Sequence, residues 1–117
     1  MSNINPYLPP QGCSPRRIVC AANRYGDLVI PSARHHDKCM NTIIQAFGGR
    51  AKLLEGIHYT DLDEFRKEQG FIDQYGDYWT REQAMDIVKM NEQPIINQSR
   101  IGDGKRLYSE HLYWDTT

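Results

Sequence analysis

The stretch EQGFIDQYGDYWTREQA, Glu68–Ala84, carries the clearest structural signals in the chain. Two short apolar runs flank the turn sequence QYGD at 74–77, and this pattern is typical of a β-hairpin. Thr80 then has the side chain of a helix N-cap, and Gln83 three residues later completes a capping box. The stretch therefore predicts a hairpin that leads directly into a helix, and Pro94 ends that helix.

A similar unit stands nearer the N-terminus. Apolar runs at 18–21 and 28–30 flank a Tyr-Gly-Asp turn, which predicts a first hairpin that ends at Pro31. Residues 34–47 then predict a helix that stops at the Gly-Gly pair 48–49. Its apolar residues share one helical face: Met40, Ile43, Ile44 and Phe47. The expected fold is α+β, with antiparallel β-hairpins forming a sheet and two main α-helices packed on it.

The 117 residues predict a single domain over 1–117, in which residues 1–15 form a Pro-rich N-terminal arm. We expect this arm to be extended, and it is a candidate for ordering against a partner subunit. Residues 95–105 are polar and contain two glycines, which predicts a loop. The segment after it, RLYSEHLYWD, predicts a short closing strand or turn.

Charge and composition exclude several classes of protein. The net charge is −1, from 14 Lys/Arg against 15 Asp/Glu, and a general DNA- or RNA-binding protein is normally basic. The sequence contains no apolar run long enough for a membrane span and no secretory signal pattern, so we expect no contact with a membrane. The three cysteines are an odd number without framework spacing, which fits a reducing cytoplasm.

The case for an enzyme is weak. On a helix His35, His36 and Cys39 would have the spacing of metal ligands, but no paired Cys-x-x-Cys supports them, and an ordinary helix surface is the preferred interpretation. Ser109–His111 has the letters of a catalytic triad, yet adjacent residues do not form one in space. Cys20 lies in an apolar run and is interpreted as an inert core thiol. We therefore expect a binding protein without a metal or other cofactor.

The case for nucleotide binding is stronger. Arginine side chains near glycine turns and helix starts suit a diphosphate, because a planar guanidinium can donate two parallel hydrogen bonds to phosphate oxygens. Such basic residues are Arg24, Arg34, Arg81, Lys105 and Arg106. Aromatic rings that could stack on a base are Tyr75, Tyr78, Trp79, Tyr108 and Tyr113. The alternative for Tyr78 and Trp79 is that they build the core between sheet and helix.

Four segments, at 18–30, 33–40, 68–84 and 106–113, together resemble a family of small phage proteins, the first class of Thoeris anti-defence proteins. Members of that family are sponges that capture the cyclic ADP-ribose signal made by the host's TIR-domain defence enzyme. The resemblance implies an antiparallel sheet with packed helices, and homo-oligomers in which dimers assemble into hexamers with ligand sites between subunits. It also implies action in the host cytoplasm, and capture of cyclic oligonucleotides by some members.

The resemblance assigns roles to individual residues. Arg24 and Arg106 match the arginines that hold phosphates, and Tyr78 matches the aromatic residue that stacks on the base, with Trp79 as its competitor. Asn91, or alternatively Asn97, matches an asparagine that contacts the ligand. Two other functions remain open: inhibition of a host protein by direct contact, and a nucleotide-processing hydrolase or transferase.

Overall fold

A computed structural model of the chain describes residues 5–55, 68–96 and 104–112. Its four strands form one antiparallel sheet in the order β2-β1-β3-β4. The strands are β1 (Ile18–Tyr25), β2 (Leu28–Ser32), β3 (Gln69–Asp73) and β4 (Tyr78–Thr80). Both predicted hairpins are therefore present, and β1 and β3 join them at the centre of the sheet. The first hairpin runs slightly past its predicted end, because Pro31 lies within the edge strand β2.

The helices are α1 (Lys38–Ala46), the single turn α2 (Arg50–Leu53) and α3 (Arg81–Met90), followed by a 3₁₀ turn at Ser109–His111. The α+β prediction is confirmed. The closing segment forms a turn, one of its two predicted alternatives.

The first helix begins four residues later than the predicted range 34–47. Asp37 is its N-cap, and its carboxylate accepts hydrogen bonds from the backbone N–H of Met40 at 2.9 Å and of Arg34 at 3.1 Å. Because a cap residue adopts extended backbone geometry, the residues before it lie outside the helix. The Gly-Gly stop is confirmed, since Gly48 and Gly49 both have positive φ angles.

The second helix begins as the sequence predicts. The Thr80 side chain accepts from the Gln83 backbone, and the Gln83 side chain accepts from the Thr80 backbone, so the capping box is complete. Four apolar side chains of α3 are buried: Ala84, Met85, Ile87 and Val88. The helix ends at Met90, with Asn91 as its C-cap.

Both main helices pack on the same face of the sheet. Met40 and Ile44 of α1 form one cluster with Tyr25 and Ile30. The buried side of α3 forms a second cluster with strand residues that include Phe71. The predicted apolar face of α1 is only half buried, since Ile43 is 37% and Phe47 50% exposed. The short helix meets the edge of the sheet, where fewer strand residues are available to cover it.

The opposite face of the sheet carries Cys20, Ala22, Arg24, Ile72 and Tyr78, by strand alternation and register. Among the described elements no helix packs on this face. Cys20 is therefore partly exposed rather than a core residue as predicted, although burial still raises the pKa of its thiol. No helix in the described ranges is long and apolar enough to cross a membrane.

Residues 5–17 run along the second hairpin and α3 of their own chain. The Tyr7 hydroxyl donates to Asp86 of α3 at 3.0 Å, and Gln74 in the turn of the second hairpin donates to the Pro15 carbonyl at 2.8 Å. The described part of the predicted arm is thus positioned by contacts within the subunit. Of the predicted loop 95–105, residues 97–103 lie outside the described residues.

Candidate functional site

A cleft of about 460 Å³ opens at one end of the sheet. Its lining residues come from five different segments of the chain: His36, Arg50, Glu68, Gln69, Arg81, Glu82, Arg106 and Tyr108. Three arginines face two glutamates, so the lining carries a net positive charge although the whole chain is weakly acidic. A volume of this size is typical of small-molecule sites.

Sheet topology brings these segments together. The Arg24 backbone N–H donates to the Glu68 carbonyl at 2.8 Å, so β3 begins beside the end of β1. Gly70 pairs with Thr80, which places the start of α3 at this same end. The closing segment then docks on α3, because Leu107 donates its backbone N–H to the Arg81 carbonyl at 2.9 Å. The cleft therefore lies where the sheet, the start of α3 and the closing segment meet.

Arg81 is the most enclosed arginine of the cleft. Its guanidinium donates to Gln69 Oε1 at 2.7 Å and to the Leu107 carbonyl at 3.0 Å, and Nη2 lies 3.3 Å from His35 Nδ1. The guanidinium carbon also lies 4.7 Å from the centre of the Tyr108 ring. Within the described residues no carboxylate forms an ion pair with Arg81, and burial lowers the pKa of its guanidinium. A protonated group with neutral acceptors keeps its charge available for an anion.

His35 lies behind Arg81. Its Nε2 is 2.7 Å from the Gly70 carbonyl oxygen, so Nε2 must carry the proton that is donated there. Nδ1 is then an acceptor that faces Arg81. Burial, together with the charge of Arg81, lowers the pKa of His35 to about 4. The imidazole is therefore neutral near pH 7, with its tautomer set by its two partners.

The other two arginines of the cleft are held by carboxylates. Arg50 makes two hydrogen bonds to Glu68, at 3.0 and 2.6 Å, and Glu68 is only 4% exposed. Arg106 Nε lies 3.1 Å from Glu82 Oε1, and these side chains are 37% and 57% exposed. The Arg106–Glu82 pair is therefore the more open of the two, and a competing anion can replace it at lower cost.

Three of the five residues assigned by the resemblance lie at this end of the sheet. Arg106 lines the cleft itself. Arg24 and Tyr78 lie together on the helix-free face, with the guanidinium carbon 4.6 Å from the ring centre. The Tyr78 ring lies across Gly70, where an added Cβ would come within 2.6 Å of the ring carbon Cζ. Glycine at this position thus allows the ring to lie close to the strand backbone.

Trp79 and Asn91 lie elsewhere. The Trp79 indole N–H donates to Asp73 at 2.9 Å, and its ring contacts the Tyr7 ring at a centroid distance of 5.5 Å. Asn91 donates to the Arg16 carbonyl at 2.8 Å. Because neighbouring strand residues point to opposite faces, Trp79 and Tyr78 cannot share one site on this subunit. Both Trp79 and Asn91 hold the N-terminal residues, and the alternative Asn97 lies outside the described residues.

The sequence analysis assigned no role to half of the cleft lining, which is Arg50, Glu68, Gln69 and Glu82. Arg50 and Glu68 meet across 18 positions of sequence, and no local pattern predicts such a pair. Arg81 had a usable signal, since it directly follows the N-cap Thr80 at the start of a helix. Tyr108 and Arg81 both appeared among the candidate basic and aromatic residues, but their contact depends on how the closing segment docks.

The helical spacing considered for a metal site does not arise, and the preferred interpretation of His35 and His36 as residues of a helix surface is wrong. His35 and His36 precede α1, so they do not share a helical face with Cys39, which is exposed. In the portion of the chain that is described, no group of three or more His, Cys, Asp or Glu residues is arranged to hold a metal ion.

Comparison with known protein families gives a match. No curated protein and no solved structure is significantly similar to this chain. Residues 17–113 match the family model described as "Phage T4 y16D protein". This range covers well over half of the chain and includes both hairpins, both main helices and every lining residue of the cleft. The chain is a phage protein and belongs to the family of the phage T4 y16D protein.

Proposed function

We propose that this phage protein binds a cyclic ADP-ribose-type nucleotide in the cleft and sequesters it without cleaving it. The observation that carries the proposal is the convergence of Arg50, Arg81 and Arg106 on one cavity beside the Tyr108 ring. Such a ligand has a diphosphate, two riboses and one adenine. Guanidinium groups, polar acceptors and an aromatic ring are the groups that recognise those parts.

The three arginines would act differently. Arg81 is held in place before the ligand arrives, so binding an anion there costs little ordering entropy. Arg106 exchanges the exposed Glu82 carboxylate for a phosphate oxygen. Glu68 stays on Arg50, because it is buried and makes two hydrogen bonds there. Gln69 and Glu82 remain as acceptors for ribose hydroxyl groups.

Arg24 and Tyr78 extend the proposal to the neighbouring face. A guanidinium stacked on an aromatic ring occupies the position that a purine would take, so adenine can replace Arg24 on Tyr78. This residue pair and the cleft lie at one end of the sheet. If the protein forms dimers or hexamers, as the resemblance implies, the face of one subunit and the cleft of another can enclose one ligand.

Capture rather than turnover fits the chemistry of the lining. The eight lining residues that the structure describes include no serine, threonine or cysteine nucleophile, and Glu68 is neutralised by Arg50. The proposed place of action is the host cytoplasm, where a phage-encoded sponge would lower the concentration of an immune signal and suppress Thoeris-type defence.

Calorimetric titration tests the proposal, with cyclic ADP-ribose isomers, linear ADP-ribose and a cyclic dinucleotide as ligands. The expected result is stoichiometric binding of a cyclic ADP-ribose isomer that Arg106→Ala weakens by at least about tenfold. Arg17→Ala is the matched control, because this exposed arginine lies by the turn at the other end of the sheet. Mass spectrometry of the released ligand should show it unchanged. Absence of binding by every ligand, or turnover of the bound one, would overturn the proposal.

A further inference from the structure

His35 contacts two elements that determine the shape of the cleft. Its Nε2 donates to the Gly70 carbonyl in β3 at 2.7 Å, and its Nδ1 faces Arg81 of α3 at 3.3 Å. The ring also meets the Phe71 ring edge-on, with centroids 5.2 Å apart. These contacts leave the imidazole one orientation, in which its acceptor nitrogen is directed at the guanidinium.

The type of acceptor matters for the charge of the cleft. Arg81 is partly buried, and its hydrogen-bond partners among the described residues are an amide oxygen, a carbonyl oxygen and the imidazole nitrogen. A carboxylate at the position of His35 would satisfy the same donor but would also neutralise it. A neutral imidazole satisfies the donor and leaves the positive charge for a ligand.

We infer that His35 is a positioning residue of the cleft, whose Nδ1 holds the Arg81 guanidinium in the orientation that binds an anion. Arg81 is then the main anion-binding group, and Arg106 is the group that adjusts to the ligand. The part of this inference that concerns a ligand rests on the proposed nucleotide function. The part that concerns the His35–Arg81 contact does not.

Two substitutions separate the two nitrogens of His35. In His35→Asn the side-chain oxygen can occupy the place of Nδ1 and accept from Arg81, while the contact with the Gly70 carbonyl is lost. In His35→Gln the terminal amide can reach the place of Nε2 and donate to that carbonyl, while the acceptor for Arg81 is lost. A residue with a purely structural role would make the two variants bind equally once both are folded.

The ligand-free test uses nitrogen-15 NMR of the full chain. The expected spectrum shows His35 with its proton on Nε2, and slowly exchanging Arg81 guanidinium protons that persist in His35→Asn and are lost in His35→Gln. A proton on Nδ1, or an Arg81 signal unchanged in His35→Gln, would overturn the inference. This outcome does not depend on any ligand.

The binding test uses ADP-ribose and inorganic diphosphate as probes. We expect His35→Asn to stay within about threefold of the wild-type affinity and His35→Gln to bind about tenfold more weakly, since a hydrogen bond to a charged group is lost. Melting temperatures measured on the same samples show that each variant is folded. Equal affinities of the two variants would overturn the inference, whereas a wild-type chain that binds neither these probes nor cyclic ADP-ribose would overturn the proposed function and leave the NMR test to decide the role of His35.

Discussion

The two ends of the sheet each hold an arginine against aromatic rings, but they treat its charge differently. One end, here called the arm end, is where the N-terminal residues pack against the second hairpin. There Arg16 lies 5.2 Å from the Trp79 ring, and its Nη1 is 2.6 Å from both Asp73 and Asp77. At the cleft end, Arg81 lies 4.7 Å from the Tyr108 ring and donates to neutral acceptors. An arginine neutralised by two carboxylates holds structure together. An arginine with neutral partners keeps its charge for a ligand.

The arm end is a closed network. Asp73, at 2% exposure, also accepts from the Trp79 indole and from two backbone N–H groups of the hairpin turn. Through Arg16 this carboxylate ties the N-terminal residues to the second hairpin. The cleft end has no equivalent carboxylate on Arg81 among the described residues. The comparison therefore predicts large effects on stability at one end and large effects on binding at the other.

The largest effect should follow Asp73→Ala. It leaves the Trp79 indole N–H without its acceptor and Arg16 with only the exposed Asp77 carboxylate, which should lower the free energy of unfolding by about 3–5 kcal/mol. Urea unfolding measures the loss. Asp77→Ala is the matched control, because its carboxylate contacts the same Arg16 atom but is 55% exposed, and it should cost about 1 kcal/mol or less. Similar losses in both variants would contradict the central role given to Asp73.

The two ends should also respond to acid in different pH ranges. The pKa of His35 is lowered to about 4 from the model-peptide value of 6.5, so the unfolded chain takes up this proton first and stability falls as the pH drops from 6.5 to 4. The expected loss is about 3 kcal/mol. The titratable groups whose charges act on the imidazole are Arg81, His36 and Glu110. Urea midpoints measured at steps from pH 7 to 4 follow the change.

Asp73 affects stability at lower pH than His35 does. Burial alone would raise its pKa, but hydrogen bonds from Trp79 and Arg16 hold it below 3.8. The stability it contributes is therefore complete above pH 3.8 and lost below it as the pH falls through the folded-state pKa. His35→Asn should remove the loss of stability between pH 6.5 and 4 and leave the loss of stability below pH 3.8. If the stability of that variant falls as steeply between pH 6.5 and 4 as that of the wild type, another group causes the loss in that pH range.

Local sequence signals predicted the elements well. The capping box at Thr80, the two hairpin turns and the Gly-Gly stop all depend on residues a few positions apart, and each lies where it was predicted. The start of α1 was missed because Asp37, as N-cap, receives bonds from both sides of the helix start. The residues before Asp37 are Arg-His-His, and they lie outside the apolar pattern, which begins at Met40.

The cleft was much less predictable, because its pairs are distant in sequence. His35 and Arg81 are 46 positions apart, and Arg81 and Leu107 are 26 apart. Strand register brings them together, and register was not specified by either hairpin alone. The same limit explains Trp79 and Asn91, whose places depend on the N-terminal residues packing against their own subunit. The sequence identified suitable residue types, and the topology determined which of them meet.

The smallest effect on stability should come from the exposed pair at the mouth of the cleft. A double-mutant cycle on Arg106→Ala and Glu82→Gln should give a coupling energy of about 0.2–1 kcal/mol, because both side chains are partly solvated.

Binding should change in the opposite sense for the two single variants. Arg106→Ala removes a hydrogen-bond donor to phosphate oxygens and should weaken the binding of a nucleotide. Glu82→Gln removes a carboxylate that competes for Arg106, and it should raise the affinity for inorganic diphosphate by about two- to fivefold. Glu92→Gln, an exposed carboxylate just beyond the end of α3, controls for the change in net charge. If Glu82→Gln and Glu92→Gln shift diphosphate affinity equally, the gain is a long-range charge effect, and Arg106 does not have to leave Glu82 to bind a phosphate.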